Sequence, residues 1–238
     1  MIVSVFITYQ KGGRSLANRN TFLAGGIVVI GLGRFGTSLA LELMTEGTEV
    51  LGIDADAKVV QGLAGRLTHV VQADSTDEEA MRQLSVHEFH HGVVGIGNNL
   101  ESSILTSSVL LNFGIPNVWA KAITGPHARI LNQIGVHHVV RPEHDMGKRV
   151  AHLVRGKMLD YIELDEGYAV AKTSPPQFLR GLPLSESRPR EKFGVAVVGV
   201  KRAHEDFTHA TPQTVIRASD LIIVAGPQLK VEQFSELA

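Results

Sequence analysis

"IVVIGLGRFGTSLALEL", Ile27 to Leu43, passes from an apolar run through a glycine turn into a segment with helical apolar spacing. The run "IVVIG" reads as a buried strand. Beyond the turn, Leu39, Leu43 and Met44 fall on one helical face, with Gly47 as the stop. Between the two stand Gly31, Gly33 and Gly36, in the spacing G-x-G-x-x-G. In a strand–turn–helix that spacing has a mechanical meaning: a tight turn, a close backbone approach to phosphate, and close helix–strand packing. Arg34 lies inside the motif. A helix N-terminus already supplies positive potential, so the extra cation needs its own explanation.

The pattern repeats outward from this unit. "EVLGID" reads as a second strand and "DADAKVVQGLAG" as a short helix, with Asp54 or Asp56 near its cap. "THVVQAD" makes a third strand, followed by a helix "STDEEAMRQLSV" opened by Ser75 or Thr76. "HGVVGIG", "NVWAKAI" and "HHVVRPE" continue as strands, separated by the helices "LESSILTSSVLLNFG" and "GPHARILNQIGV". Strands alternating with helices predict an α/β fold, a Rossmann-like doubly wound parallel sheet. Trp119, between Val118 and Ala120 in the fifth strand, is expected in the core. The alternation ends after "RPE". A helix from about His144 to Lys157 follows, with Met146, Val150, Leu153, Val154 and Met158 near one stripe. Shorter mixed elements then predict a small α+β domain. The expected organisation is a tail over residues 1–26, a nucleotide-binding domain over 27–143, a linker helix over 144–160 and a C-terminal subdomain over 161–238.

Composition narrows the chemistry. With 23 basic and 24 acidic residues among 238, the chain has no cationic excess for binding nucleic acid. It has no cysteine, which excludes disulfides, iron–sulfur clusters and thiolate zinc sites. No apolar run reaches the roughly 18 residues of a membrane span.

The ligand-binding candidates cluster at predicted strand ends. Asp54 ends the second strand about 20 residues beyond the glycine turn, where an acid hydrogen-bonds ribose hydroxyls and disfavours a 2′-phosphate. Gly31, Gly33, Arg34, Phe35 and Gly36 form the phosphate turn, and Asp56 lies beside Asp54. Asp74 and Ser75 edge the expected adenine pocket, although Ser75 reads equally well as a helix cap. Gly97 follows the fourth strand and Lys121 ends the fifth, on the carboxyl edge where open α/β sheets bind ligands. Arg34 reads either as a solvated charge or as a bidentate grip on a terminal phosphate.

The segments "VVIGLGRFGTSLALELMTEGTEVLGID", "QADSTDE", "GIPNVWAKA" and "RPEHDMGKRVA" together resemble the RCK domain, closest to the cytosolic regulatory subunits of Ktr and Trk potassium uptake systems. "REKFGVAVVGVKR" and "ASDLIIVAG" resemble its companion C-terminal subdomain more loosely. The resemblance implies a non-enzymatic regulator: a dimer-based ring, typically of eight, beneath a membrane-embedded potassium-translocating subunit. Such a ring is cytoplasmic and peripheral at the inner face of the membrane. It also implies ATP or ADP as ligand, with Arg34 at the terminal phosphate and Asp54 at the ribose. Glu143 of "RPEHDMG" would lie near a divalent cation such as Mg2+ or Ca2+, and the helix after it would cross between partners. Cyclic di-AMP is a further implied ligand, near Val195 to Val200. Arg141 departs from the family, standing where histidine is usual.

Competing readings are an NAD(H)-responsive redox sensor and a small NAD-linked dehydrogenase. No acid–base pair is placed for hydride transfer. "YAVAK", Tyr168 to Lys172, matches a Y-x-x-x-K pair but alternates like a strand. "HEFHH", His87 to His91, is read as lacking the paired acid-and-histidine context of a zinc helix and as surface histidines.

Overall fold

The computed structural model describes residues 25–238 except Gly156 and Glu166. The expected tail therefore lies, apart from Gly25 and Gly26, outside the described residues. The chain divides into two compact units, one ending at Pro142 and one running from Glu143 to Ala238.

In the first unit six strands alternate with helices. They are β1 (Ile27–Ile30), β2 (Val50–Asp54), β3 (His69–Gln72), β4 (His91–Val94), β5 (Asn117–Lys121) and β6 (His138–Val140). The principal helices are α1 (Arg34–Thr45), α2 (Ala57–Leu63), α3 (Glu78–Gln83), α4 (Leu100–Asn112) and α5 (Gly125–Gln133). All strand pairs are parallel, in the order β3-β2-β1-β4-β5-β6. The order reverses between β1 and β4, and open α/β sheets bind ligands at that crevice.

Both sheet faces are covered, which explains the uninterrupted apolar runs. Val28, Ile30, Leu51, Ile53 and Val94 pack with Met81, Val109, Leu110 and Leu131 of α3, α4 and α5. The alternate residues Val29, Val50 and Val93 pack with Ala40 and Leu63 of α1 and α2. Leu39, Leu43 and Met44 join this second cluster as expected, and the chain leaves α1 through Gly47 at φ +84°.

Two expectations in this unit are corrected. Helix α3 is opened by Asp77, not by Ser75 or Thr76. The Asp77 carboxylate accepts from the Glu79 and Ala80 amides, while Thr76 is turned back to donate to Asp74. An ionised carboxylate is the stronger acceptor for free helix amides. Trp119 is not in the core: it is 39% exposed and stacks on His138 of β6 at 4.1 Å between ring centroids. Period-two alternation puts Val118 and Ala120 inward and Trp119 on the opposite face.

The second unit opens with α6 (Pro142–Arg155). Its sheet contains β7 (Met158–Asp165), β8 (Tyr168–Thr173), β9 (Ala196–Lys201), β10 (Phe207–His209) and β11 (Leu221–Pro227). The order is β10-β9-β11-β8-β7, with every pair antiparallel. Short helices α7 (Leu184–Ser187) and α8 (Pro189–Phe193) precede β9, and α9 (Gln228–Glu236) closes the chain. Val231 and Phe234 of α9 are fully buried in the core of this unit, where Phe178 and Phe193 stack at 4.5 Å.

Here the expected helical stripe is corrected. Met158 does not continue the helix; it opens edge strand β7, buried in register with Thr173 of β8. Pairing with β8 overrides the local helical spacing. Helix α6 is fastened within its own unit. Arg149 donates to Asp160 at 2.6 Å, His152 stacks on Tyr161 at 4.2 Å, and His152 Nδ1 lies 3.2 Å from Glu232 Oε1. The Arg149 guanidinium holds the Asp160 carboxyl below its ordinary value, against a smaller opposing effect of desolvation.

Candidate functional site

The switch point of the first unit is built by a turn with little room for side chains. Gly31 has φ +86°, and a Cβ there would meet Ile96 Cγ1 at 2.7 Å and Ile96 N at 2.8 Å. A Cβ on Gly36 would overlap the Gly31 carbonyl oxygen. Gly95, after β4, is also constrained: a Cβ there would stand 2.8 Å from the same oxygen. The outer glycines of the motif therefore serve packing. Gly33 differs: its φ is −68° and a Cβ would meet nothing within 4 Å. Among the described residues no packing constraint requires glycine there, and none of them fills the space beside it.

Gly33 is also the N-cap of α1, with no side-chain cap and no acid in the first turn. The first helical bond runs from Thr37 N to Gly33 O at 2.9 Å. The amides of Arg34, Phe35 and Gly36 thus lie ahead of the intrahelical ladder and face the positive end of the helix dipole. Arg34 is exposed, and its side chain makes no hydrogen bond or ion pair among the described residues. Uncapped amides, open space and a guanidinium together form an anion-binding arrangement.

Asp54 ends β2 beside this turn. Its Oδ2 accepts from Leu32 N at 2.6 Å and its Oδ1 from Asp56 N at 2.8 Å. The carboxylate is thereby oriented, and each oxygen retains a second acceptor site for a hydroxyl. Lys121, 8% exposed at the end of β5, reaches toward the same side of the sheet. Its Nζ lies 5.8 Å from the Phe35 ring centroid and 3.4 Å from where a Cβ on Gly97 would stand.

The structure therefore brings Gly31, Gly33, Arg34, Gly36 and Asp54 together, with Phe35, Gly97 and Lys121 forming an adjoining cluster. Other candidates are turned elsewhere. Asp56 caps α2 by accepting from Lys58 N. Ser75 is buried, with its hydroxyl 2.7 Å from that of Thr106 in α4. Asp74 accepts from both the amide and the hydroxyl of Thr76. Glu143 stands in the first turn of α6, in the second unit. Sequence reasoning missed Gly95, although the "GIG" after β4 signals a second close approach, and it missed Thr37, whose hydroxyl donates to Leu32 O at 2.7 Å.

The histidines take ordinary roles. His87, His90 and His91 do not converge on a common centre, and among the described residues no group of three or more His, Cys, Asp or Glu is placed to hold a metal. His127, in the first turn of α5, is 1% exposed, and burial pushes its imidazole pKa down. Its Nδ1 accepts from Ile123 N at 3.3 Å, while Nε2 is buried with no partner. No helix among the described residues is long and apolar enough to cross a membrane.

Comparisons with known proteins agree with this division. The TrkA-N domain family model matches residues 27–142, and the TrkA-C domain model matches residues 168–238. The chain is similar to Ktr system potassium uptake protein C of Bacillus subtilis (strain 168), with 37% identity covering 87% of this chain and 95% of that one. It is 35% identical to Ktr system potassium uptake protein A of Vibrio alginolyticus, covering 85% and 93%. Among solved structures, the GsuK RCK domain has the same fold, with a TM-score of 0.63 at 18% identity over 90% of this chain and 47% of that one. The GsuK channel bound to NAD gives 0.61 at 18% identity, over 90% and 38%. This chain therefore spans less than half of those solved chains.

Proposed function

Because this chain joins a TrkA-N to a TrkA-C domain and belongs to the family of Ktr system potassium uptake proteins, we propose that it is a nucleotide-sensing regulatory subunit, not an enzyme. It binds ATP or ADP at the crevice between β1 and β4. It assembles as a dimer-based ring of eight on the cytoplasmic face of a membrane-embedded potassium-translocating subunit. The observation that carries the reading is the uncapped, acid-free N-terminus of α1, with open space at Gly33 and an exposed Arg34 lacking any described partner.

In this reading the diphosphate lies on the α1 amides, a ribose hydroxyl donates to Asp54, and Arg34 meets the terminal phosphate. Loss of that phosphate removes a charge-assisted contact, and the ring responds by a population shift. Glu143 takes a divalent cation such as Mg2+ or Ca2+. Met146, Val150 and Val154, spaced along α6 and each 45% exposed or more, suit burial against a second copy. Cyclic di-AMP binds the second unit near the exposed Val198, within the stretch Val195 to Val200.

NAD(H) is the second reading, favoured by the fold neighbour that binds NAD and by Asp54, which suits the ribose of either ligand. Titration calorimetry separates the two. ATP binding is expected, with Arg34→Ala weakening ATP about tenfold and ADP little. Equal losses for both would remove the terminal-phosphate role, and NADH binding without ATP binding would replace the reading.

A further inference from the structure

The peptide of Leu32, between the first two glycines of the motif, is held at three points. Its side chain is 2% exposed, packed in the core beneath α1 and α2. Its N–H donates to Asp54 Oδ2 at 2.6 Å, from the end of the neighbouring strand. Its C=O accepts from the Thr37 hydroxyl at 2.7 Å, one turn into α1. The two polar contacts fix this residue's backbone from opposite sides. So held, the Leu32 carbonyl points back to the helix and away from the open space beside Gly33. A carbonyl facing that space would repel an anion, whereas the free α1 amides attract one.

We infer that Thr37 is a positioning residue for the diphosphate of the bound nucleotide. Together with Asp54 it forms a clamp that sets the phosphate turn before ligand arrives. The inference rests on the nucleotide reading above. It also gives Asp54 two tasks, since one oxygen of the carboxylate that receives the ribose already holds the turn. Thr37 touches no ligand in this scheme; it acts through the Leu32 backbone.

The contribution of Thr37 is readable because it concerns phosphates alone. The full chain and its Thr37→Val and Thr37→Ser variants are titrated with ATP, ADP and adenosine, and their thermal midpoints are recorded. Thr37→Val removes the donor at nearly constant volume, and Thr37→Ser restores it. The expected result is a five- to tenfold rise in Kd for both ATP and ADP in Thr37→Val, with their ratio unchanged. Adenosine affinity is expected to stay the same, and Thr37→Ser to recover the phosphate ligands. Unchanged ATP and ADP binding in Thr37→Val would overturn the inference alone. So would an equal loss for adenosine or a failure of serine to rescue, each marking a general effect on the fold. A wild-type chain that binds none of the three would overturn the nucleotide reading and the inference with it.

Discussion

The two units bury their sheets differently. In the first, parallel strands are covered on both faces, and the covering helices return the chain so that every strand ends at one edge. That topology leaves free amides and strand-end side chains converging at the switch point, so a ligand site follows from the architecture. In the second, antiparallel strands and the closing helix enclose a single core, while edge strand β7 leaves Leu159, Ile162 and Leu164 exposed. An exposed apolar edge suits contact with another surface more than enclosure of a small ligand. In the proposed reading, ligand binding accordingly falls to the first unit and association to the second.

The largest expected effect tests whether the glycines of the first unit divide their labour. Gly36→Ala puts a Cβ onto the Gly31 carbonyl, a backbone atom with no room to give. It is expected to cost the first unit about 3 kcal/mol or more. The single tryptophan, Trp119, lies in that unit and reports its unfolding by fluorescence. Gly33→Ala meets nothing within 4 Å, so its thermal midpoint should move little while nucleotide affinity falls at least tenfold. If both variants unfolded alike, Gly33 would be a packing residue and the ligand-facing turn would lose its support.

A smaller effect separates the units by pH. Burial lowers the His127 pKa in the folded first unit, so near its ordinary value of about 6.5 the unfolded chain binds more protons. Stability from keeping this imidazole neutral is fully present above about pH 6.5 and is lost as pH falls through the folded value. The slope is at most about 1.4 kcal/mol per pH unit. His127→Gln should flatten the dependence of Trp119-detected unfolding in that window. A wild-type curve that is already flat would assign no such role to His127.

The smallest effect belongs to the second unit. Asp160 is held below its ordinary value of about 3.8 by the Arg149 hydrogen bond. Its contribution is present above that value and is lost only as pH falls through the folded pKa. Both side chains are more than a third exposed, so solvent screening limits the pair to about 0.5 kcal/mol. Arg149→Ala should raise the Asp160 pKa in an NMR titration and leave Trp119 fluorescence unchanged. An Asp160 pKa that did not move would show that the pair is not formed in solution.

The same contrast governs how legible each unit is in the amino-acid sequence. Apolar runs such as "IVVI" and "HGVV" alternate with helical segments, and the alternation survives in the sequence because strand and helix each bury a whole run or stripe. In β7, "MLDYIELD" buries Met158 and Tyr161 but exposes Ile162 and Leu164, with register shifts on both sides. That pattern has neither a period of two nor one of 3.6, so its first residue reads as a continuation of the preceding helix. Trp119 misleads for another reason: an aromatic between two buried neighbours in a strand faces the opposite side, and whether that side is covered is not a local property.

Local chemistry thus set the strand–turn–helix, its Gly31, Gly33 and Gly36, the acid at Asp54 and the sheet class, because these depend on spacing within a few turns of chain. Tertiary structure alone decided that Gly95 packs on Gly31, that Ser75 turns to Thr106, and that Asp54 accepts from the Leu32 amide across the neighbouring strand. Those contacts join residues of different elements, and their geometry exists only once the parallel sheet has brought the strand ends to a common edge.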